Sequence, residues 1–278
     1  MRLFIFVLLF SITQLLAYEI TLAPYMTQAK YKNSSKDSSS TNGLYTKYKA
    51  KNYAIALSYE QTSLDYNTTD EELNQKDITL SYTQRISNNY NLKTAYHQIS
   101  SSSDNNISAD IYFLGLEYYK KNRFSVGADF AYSAYDTKNT YQIRTFAGIS
   151  FGDYKSKMGK FLIKTDARMI YPQSEDTNNT LDSYYPSIGI TIKQYKGDFV
   201  NTINGWMGER IYSVEDNGFT VYNLNELHSS GLYISSRYAI TKTLGLQFSY
   251  TNESFEDLDL NIDDSMQKYF VSFDYTLR

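Results

Sequence analysis

Apolar and polar residues alternate with a period of two in segment after segment of this chain, and few patterns restrict a fold more tightly. Tyr53, Ile55, Leu57 and Tyr59 share one parity, with Ala54, Ala56, Ser58 and Glu60 on the other. Phe124, Val126, Ala128, Phe130 and Tyr132 repeat the arrangement, as do Tyr141, Ile143, Thr145, Ala147, Ile149 and Phe151. Further sets begin at Ile78, Tyr112, Ile188, Leu232, Leu244 and Tyr269. An extended strand turns successive side chains to opposite faces, so each set specifies a strand with one apolar and one polar face. Each also matches the roughly 10 residues that a tilted strand needs to cross a bilayer. No window approaches the roughly 18 consecutive apolar residues of a membrane helix.

The connections alternate in length. Short turns fall near Lys51-Asn52, Ser87–Asn89, Lys120–Asn122, Gly152-Asp153, Lys196–Asp198 and Thr241–Thr243. Longer polar stretches fall near Lys32–Asn42, Asn67–Lys76, Ser100–Ser108, Pro172–Asp182, Ser213–Leu227 and Ser254–Ser265, with Asp136–Asn139 a brief exception. Short turns on one side and long loops on the other predict an all-β fold: an antiparallel transmembrane β-barrel with short periplasmic turns and long extracellular loops. The sets give about fourteen strands between Tyr18 and Arg278, with twelve or sixteen as alternatives. The first strand contains Pro24, and Phe199–Tyr212 shows no apolar parity.

Before Tyr18 the chain reads Arg2, an unbroken apolar run from Leu3 to Phe10, and small Ala17. That is the layout of a secretory signal peptide, so residues 1–17 are expected to direct export through the Sec pathway and 18–278 to form one barrel domain. Composition agrees. There are 29 Tyr, 15 Phe and only 3 Pro, yet the mean hydropathy is −0.48. A barrel accommodates both facts, because only alternate residues face lipid and tyrosines collect at the interfaces. A net charge of −3 argues against a nucleic-acid partner.

The final strand carries Tyr269, Val271, Phe273 and Tyr275 before ending Leu277-Arg278. In this pattern and in its whole mature length the chain resembles Gram-negative outer-membrane β-barrels of the small, porin-like kind, in size the monomeric fourteen-stranded ones. The resemblance implies residence in the outer membrane among phospholipid and lipopolysaccharide, recognition by the barrel-assembly machinery, a monomer, and passive diffusion of small polar solutes.

With the apolar parity facing lipid, the other parity lines the lumen. The bases there are Lys47, Lys49, Arg85, Lys93, Arg144, Lys164, Arg168, Lys193, Arg237 and Lys268; the acids are Glu19, Glu60, Glu117, Asp129, Asp166 and Asp274. Arg144, Lys164, Arg168 and Lys193 come from neighbouring strands and are expected to form one pore-lining cluster, with Asp129 and Asp166 partly neutralising it. A cationic lining gives a mild preference for anions. The alternative is a salt-bridged lumen without selectivity.

Two other constellations carry chemistry. His228 and Ser230 share the parity of Leu232 and Ile234, as do the lipid-facing His and Ser of outer-membrane phospholipases, but no third residue orients the His. Asp257, Asp259, Asn261 and Asp263 have the spacing that opens a calcium loop, but Ile262 and Lys268 stand where Gly and Glu are needed, so a solvated acidic rim is expected instead. With no Cys and two His, no cofactor and no metal are expected. Beside the channel, a lipid hydrolase using His228 and Ser230 is the second reading, and a non-conducting surface or adhesion barrel with a plugged lumen is the third.

Overall fold

The computed structural model describes residues 18–33, 35–67, 72–101, 108–174 and 183–278. The expected signal peptide lies outside the described residues. So do the acidic positions Asp70, Glu71, Glu175, Asp176 and Asp182.

The strands are β1 (Glu19–Tyr31), β2 (Lys36–Lys49), β3 (Tyr53–Tyr66), β4 (Glu72–Arg85), β5 (Tyr90–Ser101), β6 (Ala109–Lys120), β7 (Phe124–Tyr135), β8 (Lys138–Gly152), β9 (Lys160–Ser174), β10 (Tyr185–Lys196), β11 (Phe199–Arg210), the short β12 (Val214–Glu215) and β13 (Thr220–Val221), then β14 (Glu226–Ala239), β15 (Leu244–Asp257) and β16 (Ile262–Leu277). All but β12 and β13 pair antiparallel with their neighbours in a closed barrel of 14 strands. The seam joins β1 to β16, from Ile20 opposite Leu277 to Tyr31 opposite Met266. Closure satisfies every ladder without leaving a free edge, which a sheet in lipid requires.

The faces are inverted relative to a soluble barrel. Leu80, Leu114, Phe248 and Phe273 point outward with about half their surface exposed, while inward Ser58, Thr79, Ser133 and Gln142 are buried. Two aromatic girdles bound the outward apolar belt. One runs through Tyr48, Tyr53 and Tyr82 and through Tyr90, Tyr118 and Phe124. The other follows Tyr96, Tyr112, Tyr132 and Tyr141 near the opposite end. Rings with one wet edge collect at membrane interfaces.

The barrel strands are longer than expected, from 12 residues in β5 to 16 in β16. β2 takes in most of Lys32–Asn42, β4 begins at Glu72, and β15 and β16 leave only Leu258–Asn261 between them. The outward side chains there, among them Ser38, Ser40, Asn42, Gln61 and Ser63, are as polar as the inward ones. Alternation therefore fades while the ladder continues. On the opposite side the connection after β8 runs from Asp153 to Gly159 and is longer than the expected turn.

Candidate functional site

Residues 211–225 do not extend outward as the polar loop expected at Ser213–Leu227. They fold back into the barrel. Ile211, Tyr212 and Val214 are fully buried against Ile99, Ile111, Phe113, Tyr135, Ile170 and Tyr185, all inward-facing wall residues. Apolar side chains in a polar lumen need a partner, and this segment supplies it.

Val214 pairs with Val221 and Glu215 with Thr220, making a small hairpin. Its tip bends through Asp216, Asn217 and Gly218, with φ of 47°, 59° and 94°. Gly218 is required here: a Cβ would come within 3.0 Å of the Ala95 side chain, on a backbone that L residues rarely adopt. His97 Nδ1 lies 2.9 Å from the Gly218 carbonyl oxygen and 2.9 Å from Thr79 Oγ1, pinning the tip to β4 and β5. Phe219 reaches Tyr45 of β2, with ring centroids 5.5 Å apart. Gln142 of β8 clamps the hairpin by donating to the Val214 carbonyl at 2.7 Å and accepting from its N–H at 3.0 Å. Asn223 donates to Gln75 at 2.7 Å and Tyr222 to Glu253 at 2.7 Å. The segment thus crosses the lumen and is fastened on several sides.

Glu215 lies between two guanidiniums, with Arg168 Nη1 and Arg210 Nη1 at 2.5 and 2.6 Å from the same carboxylate oxygen. Burial would raise its pKa, but the two arginines overcome that and hold the carboxyl down at about 2. Arg210 stacks on Trp206, 3.9 Å from the ring centroid. Asp216 at the tip is exposed to the lumen. Enclosure by the barrel, which strips its carboxyl of bulk water, and the Glu215 charge raise its pKa, while Lys193, Arg144 and Lys268 oppose that rise from three wall strands.

The expected cluster divides. Arg144 lies opposite Arg168 in the β8–β9 register and opposite Asp129 in β7–β8. Its Nε donates to Asp129 at 2.9 Å. Arg168 is drawn away from the lumen surface into the Glu215 pair, where it is buried. Lys164 sits 3.3 Å above the Phe146 ring. Lys193 stands opposite Leu162 and Thr202, nearer the short-turn end. Asp166 lies against Gly189 and, among the described residues, makes no salt bridge. Lys47, Lys164, Lys193 and Lys268 likewise make none among the described residues.

Two expectations are corrected. Met207 pairs with Ser230 but Arg210 with His228, and across β15 Ser229 is an extra residue between His228 and Ser230. These bulges break the shared parity. Ser230 keeps the outward face of Leu232, whereas His228 turns inward and is 1% exposed. The two side chains therefore do not form a lipid-facing pair. Nor is the acidic rim wholly solvated: Asp257 is buried against Lys36, and Asp264 accepts the Lys32 and Asn33 backbone N–H groups. Among the described residues no group of His, Asp and Glu is arranged to hold a metal.

Arg210, Glu215, Asp216 and Trp206 stand outside the residues expected at the site. Arg210 was hidden by the bulge at Gly208, which has φ of 110°. A signal for the inserted segment was present: Ile111–Leu114 and Met169–Tyr171 are apolar on both parities, more than a polar lumen calls for.

No protein-family model and no curated protein matches the chain. Among solved structures it is similar to a bacterial polysaccharide outer membrane secretin, at 10% identity and TM-score 0.57, over 94% of this chain and 98% of the other. It is also similar to the CymD monoaromatic hydrocarbon channel, at 11% identity and TM-score 0.57, over 96% and 90%. Omp33 of Acinetobacter baumannii aligns at 10% identity and TM-score 0.51, over 93% and 99%. At these identities the likeness establishes the fold, that of outer-membrane β-barrels.

Proposed function

We propose that this chain is a monomeric outer-membrane channel through which small polar solutes diffuse passively, with a mild preference for anions, past a constriction formed by the inserted segment. The observation that carries the reading is the balance of lumen charges left outside salt bridges. Lys47, Arg85, Lys164, Lys193 and Lys268 stand against Glu60, Asp166, Asp216 and Asp77, the last of which has only the His97 ring, at 3.6 Å, as an ion contact, a small cationic excess among the described residues. Glu215, the other acid brought in by the segment, is cancelled by its two arginines. A modest excess raises local anion concentration modestly, and salt screens it. Two of the three fold neighbours are a secretin and a channel, which fits the reading. Export through the Sec pathway with cleavage after Ala17, assembly by the barrel machinery and contact of the apolar belt with phospholipid and lipopolysaccharide complete the proposal.

The test is reversal potential in planar bilayers under a salt gradient. The wild type should favour anions, and Lys164→Ser with Lys193→Ser should move the reversal potential towards cation selectivity. A conducting protein whose selectivity ignores both changes refutes the anion preference. A folded barrel that does not conduct refutes the channel and favours a surface role.

A further inference from the structure

His228 occupies a cage that diffusion through the lumen does not require. Two bulges, one in β11 and one in β14, are spent on turning it inward. Its Nε2 lies 3.1 Å from Glu226 Oε2 and its Nδ1 3.2 Å from Glu253 Oε2. Neutral imidazole has one donor and one lone pair, so one of these contacts would set a lone pair against a carboxylate. Only the imidazolium presents an N–H to both carboxylates, in a hydrogen bond to Glu226 at Nε2 and an ion contact with Glu253 at Nδ1.

The rest of the cage comes from every element packed around it. Lys36 of β2 lies 2.7 Å from Glu226 and 3.4 Å from Asp257 of β15. Arg210 stands opposite His228 in the β11 register but is committed to Glu215. Tyr31 of β1 meets Phe255 edge-on, within electrostatic reach of Glu226 and Glu253. Lys268 of β16 acts on Glu253. From the inserted segment, Tyr222 packs against the His228 ring at 4.7 Å, and its hydroxyl donates to Glu253 Oε1.

The charges count closely. Glu226, Glu253 and Asp257 face Lys36 and an imidazolium, which leaves one negative charge. Loss of the His228 proton leaves two, all on buried groups, where uncompensated charge is most costly. Glu226 retains Lys36, but Glu253 would face Glu226 across a ring that no longer separates their charges. Glu253 is also the carboxylate that Tyr222 holds. The wall strands are kept by continuous ladders, whereas the segment is kept by side-chain contacts and yields first.

We infer that His228, as an imidazolium, is a latch: it fastens the end of the inserted segment nearest β14, and losing its proton on the alkaline side releases Tyr222 and widens the lumen mouth.

Trp206 is the only tryptophan of the chain. It lies under Arg210, which is tied to the segment through Glu215. Its fluorescence therefore reports the segment's position whether or not the barrel conducts. In the detergent-folded full chain, raising the pH from about 7 to about 9.5, below ordinary tyrosine ionisation, should shift Trp206 emission reversibly. In planar bilayers the same change should raise conductance. His228→Gln should show the released emission already at neutral pH and no alkaline step. Tyr222→Phe, which removes only the bond to Glu253, should move the step to lower pH and serves if His228→Gln does not fold. The chain has no Cys, so Gln75→Cys with Asn223→Cys, bridged by a short bis-maleimide, should abolish the step. A wild type with flat emission, a His228→Gln protein that keeps the step, or a bridged protein that still shifts would each overturn the latch. A latch that works in a barrel that never conducts would leave it standing while removing the channel.

Discussion

Replacing Glu215 by Gln removes the one carboxylate shared by Arg168 and Arg210 while keeping the side chain's shape. Both guanidiniums are almost fully buried and Glu215 is about a quarter exposed, at 2%, 3% and 24% of their side-chain surface. Removing one member of a buried ion pair costs about 3–5 kcal/mol, because the remaining charge stays buried without its partner. The partial exposure of Glu215 places this case near the lower end, at about 3 kcal/mol. At about 1.4 kcal/mol per factor of ten, the undocked population of the segment should rise roughly 100-fold. Ile211, Tyr212 and Val214 keep their apolar contacts, so the segment remains mostly docked and opens more often. Hydrogen exchange reads this directly. The Val214 N–H, bonded to Gln142, and the Tyr222 N–H, bonded to the Ser213 carbonyl, should exchange about two orders of magnitude faster, with the β9–β10 ladder unchanged. Exchange at both amides within the wild-type range would refute the view that this ion pair holds the segment. Equal acceleration in β9 and β10 would show that the change weakened the barrel instead.

Acid should mimic that substitution. Glu215 is held at about 2, below the ordinary glutamate value of about 4.5, so its contribution is complete above about pH 4.5 and is lost as pH falls towards 2; Trp206 fluorescence should report segment release within that window and none at pH 5 to 7. Leu114→Arg, at an outward position in the apolar belt, should lower barrel stability in lipid by about 2–4 kcal/mol if it sits near the midplane, measured by guanidinium unfolding in liposomes. Gly231→Ala would bring a methyl group 2.1 Å from Trp206 Nε1. Overpacking of that kind costs about 1–3 kcal/mol, and the displaced indole should appear as a changed near-ultraviolet circular dichroism signal.

The barrel was legible because its wall is repetitive. Ile55, Leu57 and Tyr59 declare their face within five residues, and lipid enforces the rule on every strand. Legibility fell wherever another constraint took over. Beyond the girdles, Ser38 to Asn42 are polar on both faces, so a paired strand resembles a loop. At Gly208 and Ser229 one inserted residue reverses the parity, and His228 moves from the expected lipid face to the interior. The contents of the lumen were least legible. Arg144 and Arg168 were both expected on the inner parity, and both are there. Arg144 meets Asp129 across the β7–β8 register, but the partner of Arg168, Glu215, depends on where residues 211–225 go, and no local pattern states that. The trace they leave is indirect: Ile111, Phe113 and Ile170 are too apolar for a wall that meets water.

Because β11 and β14 pair directly with each other, residues 211–225 are a hairpin connection and contribute nothing to the wall ladder. The barrel separates container from contents. The container is specified by outward parity and closure, and the contents behave as an exchangeable cartridge. Insertions, deletions and substitutions in the cartridge can retune what passes without touching the hydrogen bonds that keep the protein in the membrane. The freedom has one condition. The socket of Ile99, Ile111, Phe113 and Ile170 stays apolar whatever the cartridge becomes, so any successor must offer it an apolar face. In descendants of this chain, length and charge should vary most at Asp216 and Asn217, while positions 211, 212 and 214 keep drawing large apolar residues.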